Sequence, residues 1–424
     1  MAARRAGNAT PAIEWAFRTD EAEVLRALAS GARRTALSQY FGAPAHAELS
    51  RLARIAGRAR RLPGPPVIIL PGIMGSTLGT APARSGASRV VWIDPDRIAD
   101  GGLLDLALPA GRVQRPLGVL LHGYARLRLQ LQADGFDARL HAYDWRLGID
   151  EIGRDLAAGI RARREPVILL GHSMGGLIAR VAMRHLPKSY VRKLLMLGTP
   201  NRGAFAPILA IRGTYPFVRK VAALDRAHSA EQLAENVFRT FAGLYHLLPA
   251  VRRTKGIDLF DPAAWPSRGP SPDPELLRQA ATVHRELALP DARMTHIVGV
   301  NRQTIVGVRR SGHQFVYAMG RNGDGTVPLD LALLPAVPTY YVDEAHGSLA
   351  SNPQVIAAAS ELLRRGRTKL LPGHWRRSSG PLIHVGDAEF SRLDGPKLDW
   401  PSLSSAERAG FLAALNEPTP AVRG

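Results

Sequence analysis

Apolar residues along the chain follow two alternating patterns. Unbroken apolar runs of four residues occur at 67–70, 167–170 and 194–197, and short runs of this kind between turn residues are typical of buried strands. Residues 118–133 and 151–163 instead carry apolar side chains at helical spacing. Parallel strands need a long return connection, so strands that alternate with helices predict a mostly parallel sheet with crossover helices on both faces. We therefore expect an α/β fold.

The alternation is interrupted after the third apolar run and resumes with a strand pattern at 295–300. Residues 204–292 show helical spacing without strands, and Ser229 and Gln232 give one of these helices a capping-box-like start. An insertion at this point of an α/β chain is expected to lie as a helical cap above the active end of the sheet. Its segment 205–220 mixes apolar and basic residues, and a lid helix packed on its own protein is favoured over a lid that contacts lipid.

The composition is that of an ordinary globular protein of 424 residues, with 46% hydrophobic and 22% charged residues. No apolar run approaches the ~18 residues that span a bilayer, and the first residues lack the apolar core of a signal peptide. We therefore expect no transmembrane helix and a cytoplasmic location. The sequence has no cysteine, which excludes disulfides, thiolate metal sites and a cysteine nucleophile.

The net charge is +20, and such a charge favours contact with nucleic acid or an anionic lipid surface where the cations are clustered. Only six of the 56 basic residues are Lys, and the Arg residues are scattered along an Ala-rich sequence. This distribution indicates a compositional bias, not a binding patch. It argues against specific nucleic-acid binding, and it is compatible with peripheral contact with an anionic membrane.

One apolar run leads directly into a recognisable turn. Residues 171–176 read Gly-His-Ser-Met-Gly-Gly, follow the run at 167–170 and precede a helix-like stretch at 177–185. A Gly-x-Ser-x-Gly turn between a strand and a helix is the nucleophile elbow, in which a strained backbone pushes the serine hydroxyl out of the sheet. Ser173 is therefore the candidate nucleophile.

A second Gly-rich turn follows the first apolar run. Residues 71–76 read Pro-Gly-Ile-Met-Gly-Ser, so they lack the Lys of a phosphate loop and the glycine spacing of a dinucleotide fingerprint. An oxyanion loop and a plain tight turn remain, and the oxyanion loop is favoured. In serine hydrolases with this order of elements, one N–H comes from the residue after the nucleophile and another from the loop after an early strand. These are the N–H groups of Met174 and Ile73.

Polar and aromatic residues end the strand predicted at 139–142. The next residues are Tyr-Asp-Trp-Arg at 143–146, at the end of the sheet where ligands bind in open α/β folds. We expect Trp145 and Arg146 to line the substrate site. Plain packing, with Arg146 paired to Asp144, is the competing interpretation.

A serine hydroxyl is activated by a base, and the base is oriented by a carboxylate. In this fold both follow the elbow, in the order Asp then His, on loops after late strands. His346 lies between the last predicted strand and the closing helix, and Asp324 lies in a Gly-rich loop one strand earlier. Asp330 is the rival acid, whereas Asp343 is too close to His346 along the chain to orient it. The other histidines considered are expected to be structural or solvated: His172, His228, His246, His284 and His313.

Several segments, taken in order, resemble one family. They are 71–76, 143–146, 171–176, Gly-Thr-Pro at 198–200, Gly-Asp-Gly-Thr-Val-Pro at 323–328, and His346. Over residues 65–365 the sequence resembles the lecithin:cholesterol acyltransferase-like group of α/β-hydrolases. Secreted members of that group have a signal peptide and a disulfide-held lid, whereas this sequence shows neither.

The resemblance implies a mechanism and a set of roles. Ser173 would take an acyl chain from a lipid ester, and water or an alcohol would then remove it. Asp324 and His346 would complete the triad, and Ile73 and Met174 would form the oxyanion hole. The tryptophan at the strand end would lie beside the acyl or leaving group. No metal or organic cofactor is implied.

These observations divide the sequence into three parts. We predict an N-terminal helical extension at 1–62 packed on the core, an α/β-hydrolase catalytic domain at 63–369 with a cap at about 204–292, and a C-terminal appendage at 370–424. The predicted activity is that of a serine lipase, phospholipase or esterase acting on an acyl lipid or ester. The alternatives are an O-acyltransferase with the same triad and a non-catalytic lipid-binding protein, against which the intact Ser, Asp and His argue.

Overall fold

The computed structural model describes residues 13–59, 64–80, 89–109, 114–250, 256–392 and 396–414. Residues 1–12, on which the expectation about a signal peptide rests, lie outside the described residues. The described helices are, in chain order, α1 (Glu14–Arg18), α2 (Glu21–Ser30), α3 (Arg34–Phe41), α4 (Ala43–Ala59), α5 (Pro95–Ala99), α6 (Leu121–Ala133), α7 (Ile149–Arg163), α8 (Met174–Arg184), α9 (Ala206–Ile211), α10 (Pro216–Leu224), α11 (Ala230–Asn236), α12 (Ala242–Tyr245), α13 (Pro274–Val283), α14 (Leu329–Ala332), α15 (Pro353–Arg365), α16 (Asp387–Ser391) and α17 (Ser405–Ala414).

A parallel sheet is the centre of the fold. The described strands are β1 (Pro66–Leu70), β2 (Ser76–Thr80), β3 (Arg89–Trp92), β4 (Arg115–Val119), β5 (Asp137–Leu140), β6 (Val167–His172), β7 (Val191–Leu197), β8 (Met294–Gly299), β9 (Thr304–Ser311), β10 (Gln314–Gly320), β11 (Thr339–Val342) and β12 (Ile383–Gly386). Six of them pair in parallel in the order β11-β8-β7-β6-β1-β5. Two three-stranded antiparallel sheets flank it, β3-β2-β4 and β12-β10-β9.

The strand order reverses at β1. The chain leaves β1 for β5 on one side, returns past it to β6 on the other side, and then continues outward through β7, β8 and β11. In open α/β sheets such a switch point leaves a crevice at the carboxyl ends of the strands, where ligands bind. The crevice here lies between the loop after β1 and the turn after β6.

Helices cover both faces of the sheet. In β6, Leu169 belongs to the same apolar cluster as residues of α7 and α8, whereas Ile168 and Leu170 cluster with residues of α6 and α15. Successive side chains of a strand point to opposite faces, so a strand covered on both sides reads as an unbroken apolar run. This architecture is the α/β-hydrolase fold that the sequence predicts.

The helices before β1 are fixed to the core by ion pairs. Arg18 donates to both carboxylate oxygens of Asp94, at 2.7 and 3.0 Å. Glu14 is buried and accepts from Arg408 of α17 at 2.9 Å and from Trp400 Nε1 at 3.3 Å. The first and last described helices therefore meet across one buried ion pair.

Between β7 and β8 the described residues form helices α9 to α13 and no strand. Ser229 Oγ accepts from the N–H of Gln232 at 3.2 Å, and Gln232 Oε1 accepts from the N–H of Ser229 at 2.8 Å. This capping box starts α11 as predicted. Within the described residues no helix combines the length and the apolar character needed to cross a membrane. The division of the chain into three parts stays a prediction.

Residues near the end of the described chain form hydrogen bonds with α9, α10 and the residues that follow them. Arg212, which follows α9, donates to the buried carboxylate of Asp387 at 3.0 Å, and Tyr317 donates to the other oxygen of Asp387 at 2.7 Å. The ammonium of Lys397 donates to three carbonyls at and after the end of α10, those of Ala222, Asp225 and His228.

Candidate active site

Ser173 lies on the sharp turn between β6 and α8. Its backbone has φ 54° and ψ −124°, a sparsely populated region that costs a residue other than glycine of order 1–3 kcal/mol. The turn needs glycine on both sides, because a Cβ on Gly171 would lie 2.5 Å from the backbone of Gly176 and one on Gly175 would lie 2.4 Å from the carbonyl of Leu70. The local sequence therefore determines the elbow.

The structure brings Ser173, His346 and Asp324 together. His346 Nε2 lies 2.8 Å from Ser173 Oγ, and His346 Nδ1 lies 2.7 Å from Asp324 Oδ2. The other carboxylate oxygen of Asp324 accepts from the N–H groups of Thr326 and Val327, at 3.0 and 2.7 Å. A carboxylate only accepts, so Nδ1 carries the hydrogen and Nε2 faces the serine hydroxyl as an acceptor. This geometry allows the imidazole to take the serine proton.

The rival acids lie on the surface in ion pairs of their own. Asp330 pairs with Arg377 at 2.5 Å, and Asp343 pairs with Arg302 at 2.7 Å. Among the described residues, neither carboxylate makes a hydrogen bond to His346.

The loop after β1 runs directly beside the elbow. A Cβ added to Gly72 would lie 3.1 Å from the Cβ of Ser173, which measures how closely the two turns approach. In the part of the chain that the structure describes, no hydrogen bond joins the N–H groups of Ile73 and Met174 to another protein group. Two unengaged N–H groups beside a serine hydroxyl can receive an oxyanion.

Buried side chains hold this loop in a strained conformation. Met74 has φ 62°, which is unfavourable for a residue with a Cβ. Trp92 Nε1 donates to the carbonyl of Met74 at 2.8 Å, and the hydroxyl of Tyr143 donates to the carbonyl of Pro71 at 2.6 Å. The loop is therefore fixed by contacts that do not depend on a ligand.

A hydrogen-bond chain links the loop to the base through His172, for which the sequence predicts only a structural role. The N–H of Gly72 donates to the hydroxyl of Tyr124 at 2.8 Å, and that hydroxyl lies 2.8 Å from His172 Nδ1. His172 Nε2 lies 2.9 Å from the carbonyl of His346. A carbonyl only accepts, so Nε2 carries the hydrogen and Nδ1 accepts from Tyr124.

Electrostatics keep both members of this chain uncharged. Burial, and next the nearby His346, lower the pKa of His172 to about 3, and burial raises the pKa of Tyr124 well above its usual range. The order Gly-His-Ser is the sequence signal that could have indicated a role for His172. Nothing in the sequence indicated Tyr124, because its partners are 48 and 52 residues away.

Tyr124→Phe is expected to lower kcat/KM for an ester about 10–100-fold, because small misplacements of a catalytic group cost up to about that much. The substitution removes the acceptor of the Gly72 N–H and the donor to His172. The measurement is ester hydrolysis together with the melting temperature. Tyr190→Phe, at the opposite end of the sheet beside β7, is the control and should retain wild-type activity. A Tyr124→Phe protein with wild-type kcat/KM would contradict this role.

Trp145 does not line the space around Ser173. It is fully buried, its Nε1 donates to the carbonyl of Ser76 at 2.9 Å, and its ring lies 5.4 Å from that of Trp92 and 5.5 Å from that of Phe241. These contacts give Trp145 a packing role behind the oxyanion loop, in place of the expected contact with substrate.

Arg146 is also buried away from the cavity. Its guanidinium donates to both oxygens of Asp144, at 2.9 and 2.6 Å, and to the carbonyls of Leu106 and Gln114. The competing interpretation, an ion pair with Asp144, therefore describes its geometry, and the expected position in the substrate site does not.

A cavity of about 190 Å³ opens beside Ser173. It is bounded by the oxyanion loop, by the loops that carry Asp324 and His346, and by α9 with the residues around it. Its described lining includes no Asp, Glu, Lys or Arg, so it suits an uncharged, apolar ligand. Apolar lining residues of the predicted cap are Ala204, Ala206, Pro207, Ala210, Phe217, Leu244 and Leu247.

Comparison with known proteins identifies a partial family match. Residues 146–242, which include the elbow, match the family described as PGAP1-like alpha/beta domain. No curated relative matches the sequence. Similar solved structures include the Tle4-Tli4 complex, with 14% sequence identity over 70% of this chain and 97% of that chain and a TM-score of 0.49. The mature lipase BlEst2 of Bacillus licheniformis is similar with 15% identity over 72% of this chain and 94% of that chain and a TM-score of 0.35. A thermophilic esterase from Thermogutta terrifontis is similar with 15% identity over 72% of this chain and 92% of that chain and a TM-score of 0.33.

Proposed function

We propose that this protein is a serine hydrolase that cleaves carboxylic esters of acyl lipids through an acyl-enzyme on Ser173. The observation that carries the proposal is the buried hydrogen-bonded series Ser173, His346 and Asp324, with separations of 2.8 and 2.7 Å. A serine in this arrangement is a nucleophile at neutral pH, because the imidazole accepts its proton and the carboxylate stabilises the resulting cation.

Each step of the reaction has a residue to perform it. Ser173 Oγ attacks the ester carbonyl carbon while its proton passes to His346 Nε2. The carbonyl oxygen becomes an oxyanion and accepts from the N–H groups of Ile73 and Met174. His346 then gives the proton to the leaving alcohol oxygen as the ester C–O bond breaks. A water molecule, deprotonated by His346, releases the acid by the same steps in reverse order.

The lining of the cavity supports an uncharged acyl ester as the substrate. A charged headgroup or phosphate inside the cavity would find no ionic partner among the described lining residues, and burying an unpaired charge is costly. An alkyl chain finds apolar surface from the cap and the oxyanion loop. The motif order that resembles the lecithin:cholesterol acyltransferase-like group supports the same substrate class.

Covalent labelling by a fluorophosphonate tests the proposal. The probe forms a bond with an activated serine and places its phosphoryl oxygen in the oxyanion hole, so the wild-type protein is expected to be labelled and Ser173→Ala to show no label. Ser189→Ala, which changes an exposed serine outside the site, is the matched control and should label like the wild type. A wild-type protein that is folded by circular dichroism and takes no label, or a Ser173→Ala protein that still does, would rule the proposal out.

A further inference from the structure

One wall of the cavity comes from helices that the mechanism above does not use. Phe17 of α1 and Tyr40 of α3 line the same cavity as Ser173, together with His122 of α6. The rings of Phe17 and Tyr40 meet edge to face with their centroids 5.2 Å apart, and the rings of Tyr40 and His122 do so at 6.1 Å. We call Phe17 and Tyr40 the aromatic wall.

The aromatic wall is rigidly attached to the catalytic core. Arg18, the neighbour of Phe17, forms its bidentate pair with Asp94 directly after β3. Glu21 pairs with Arg128 of α6, and its other oxygen accepts from the N–H of Val119 at 3.4 Å. These contacts attach α1 and α2 to the loop after β3, to β4 and to α6.

The chemistry of ester cleavage indicates which part of the substrate lies against the aromatic wall. His346 must protonate the alcohol oxygen, so the alcohol lies on the side of His346, which is bounded by Thr326, Val327 and Gly347. The acyl chain leaves the carbonyl carbon on the other side, along the oxyanion loop. Leu120, which donates to the carbonyl of Gly75 at 2.9 Å, connects that loop to α6 and hence to the aromatic wall.

Resting on the proposed function, we infer that Phe17 and Tyr40 close the acyl branch of the cavity and set the longest acyl chain that the enzyme accepts. The substrate is then an ester with a single uncharged alkyl chain whose end meets the two rings. Each methylene that reaches apolar surface raises kcat/KM about fourfold, and a chain longer than the branch loses this gain because the rings cannot move aside.

Opening the wall should lengthen the preferred chain. The experiment measures kcat/KM for p-nitrophenyl esters of unbranched acids from two to sixteen carbons, so that the alcohol stays constant. Phe17→Ala and Tyr40→Ala are each expected to move the optimum to longer chains and to raise the ratio of long-chain to optimal-chain kcat/KM at least tenfold. Leu37→Ala is the matched control, since Leu37 is a buried residue of α3 that does not line the cavity, and its optimum should equal that of the wild type.

Filling the branch should shorten the preferred chain without removing the wall. Gly123 of α6 lines the cavity, and an added Cβ there meets no atom within 4 Å. Gly123→Leu is therefore expected to keep the fold, because leucine favours a helix over glycine, and to move the optimum to shorter chains. This variant keeps the inference testable if either alanine variant fails to fold.

One further measurement separates this inference from the proposed function. A series of p-nitrophenyl alkylphosphonates of increasing chain length labels Ser173 without a deacylation step, so the same shifts should appear in labelling rates. If the variants leave the acyl series unchanged, the aromatic wall does not bound the acyl branch. If instead the wild type neither hydrolyses an ester nor takes any phosphonate, the proposed function itself is wrong.

Discussion

Asp324→Asn is expected to lower kcat about 10⁴-fold while the melting temperature changes little. Oδ1 of Asp324 accepts from the N–H groups of Thr326 and Val327, so an asparagine would keep its oxygen there and turn its amide nitrogen toward His346 Nδ1. A donor at that position forces the hydrogen onto Nε2. The imidazole would then face Ser173 with a donor and could not take its proton.

The matched control for this prediction is Asp330→Asn. Of the two rival acids, Asp330 and Asp343, Asp330 is nearer to Asp324 along the chain. It is largely exposed and pairs with Arg377. Exposed pairs contribute about 0–1 kcal/mol to stability, and Asp330 bonds Arg377 and not His346, so kcat should stay close to that of the wild type. Steady-state hydrolysis of one ester by the three proteins is the measurement. Full activity in Asp324→Asn, or a large loss in Asp330→Asn, would transfer the role of the acid to another residue.

Three buried histidines, His172, His246 and His296, are together expected to lower the free energy of unfolding by about 4 kcal/mol between pH 8 and pH 5.5. Burial lowers the pKa of His172 and His296 to about 3 and that of His246 to about 4. In the unfolded chain each histidine would bind a proton near pH 6.5. Between pH 6.5 and pH 3–4 the unfolded state therefore binds more protons than the native state, and the free energy of unfolding falls as the pH falls through this range. One pH unit below 6.5 costs about 1.4 kcal/mol per histidine.

The structural reason is the same for all three histidines. In each ring one nitrogen accepts a hydrogen bond, and protonation would remove that acceptor. The donors are the hydroxyl of Tyr124 to His172 Nδ1, the N–H of Thr199 to His296 Nε2 at 3.1 Å and the N–H of Ile149 to His246 Nδ1 at 3.1 Å.

Urea unfolding at pH 8 and pH 5.5 measures the difference. His296→Gln should reduce the difference between the free energies of unfolding at the two pH values by about 1.4 kcal/mol, because one titrating group is gone. This expectation does not depend on the variant's stability at pH 8. His374→Gln should leave it unchanged, since His374 is exposed. A wild type whose free energy of unfolding is equal at the two pH values would refute the prediction.

The parts of the site that the sequence could predict are those encoded by local turns at strand ends. The elbow around Ser173 needs glycines at fixed positions, and Ile73 follows an apolar run directly. His346 and Asp324 were found from their order along the chain, since the loops after late parallel strands emerge at one edge of the sheet. All of these inferences use short-range patterns together with the geometry of parallel sheets.

What could not be predicted depends on contacts between distant segments. Trp145 and Arg146 stand at a strand end, but hydrogen bonds to Ser76 and Leu106 turn their side chains away from the cavity. The aromatic wall belongs to helices that showed no chemistry, and its function follows from their placement against α6. A single sequence carries no signal for such placement, because the contacts depend on tertiary packing.

The buried pair of Glu14 and Arg408 joins positions 394 residues apart, which has a consequence for biosynthesis. At about 5–20 residues per second, a ribosome adds Arg408 roughly 20–80 s after Glu14. Throughout that interval Glu14 lacks its ionic partner, whereas Arg18 of the same helix can already pair with Asp94, which lies only 76 residues along the chain. The first helix is thus attached early, through Asp94, and its contact with α17 is among the latest that the described residues can form during synthesis.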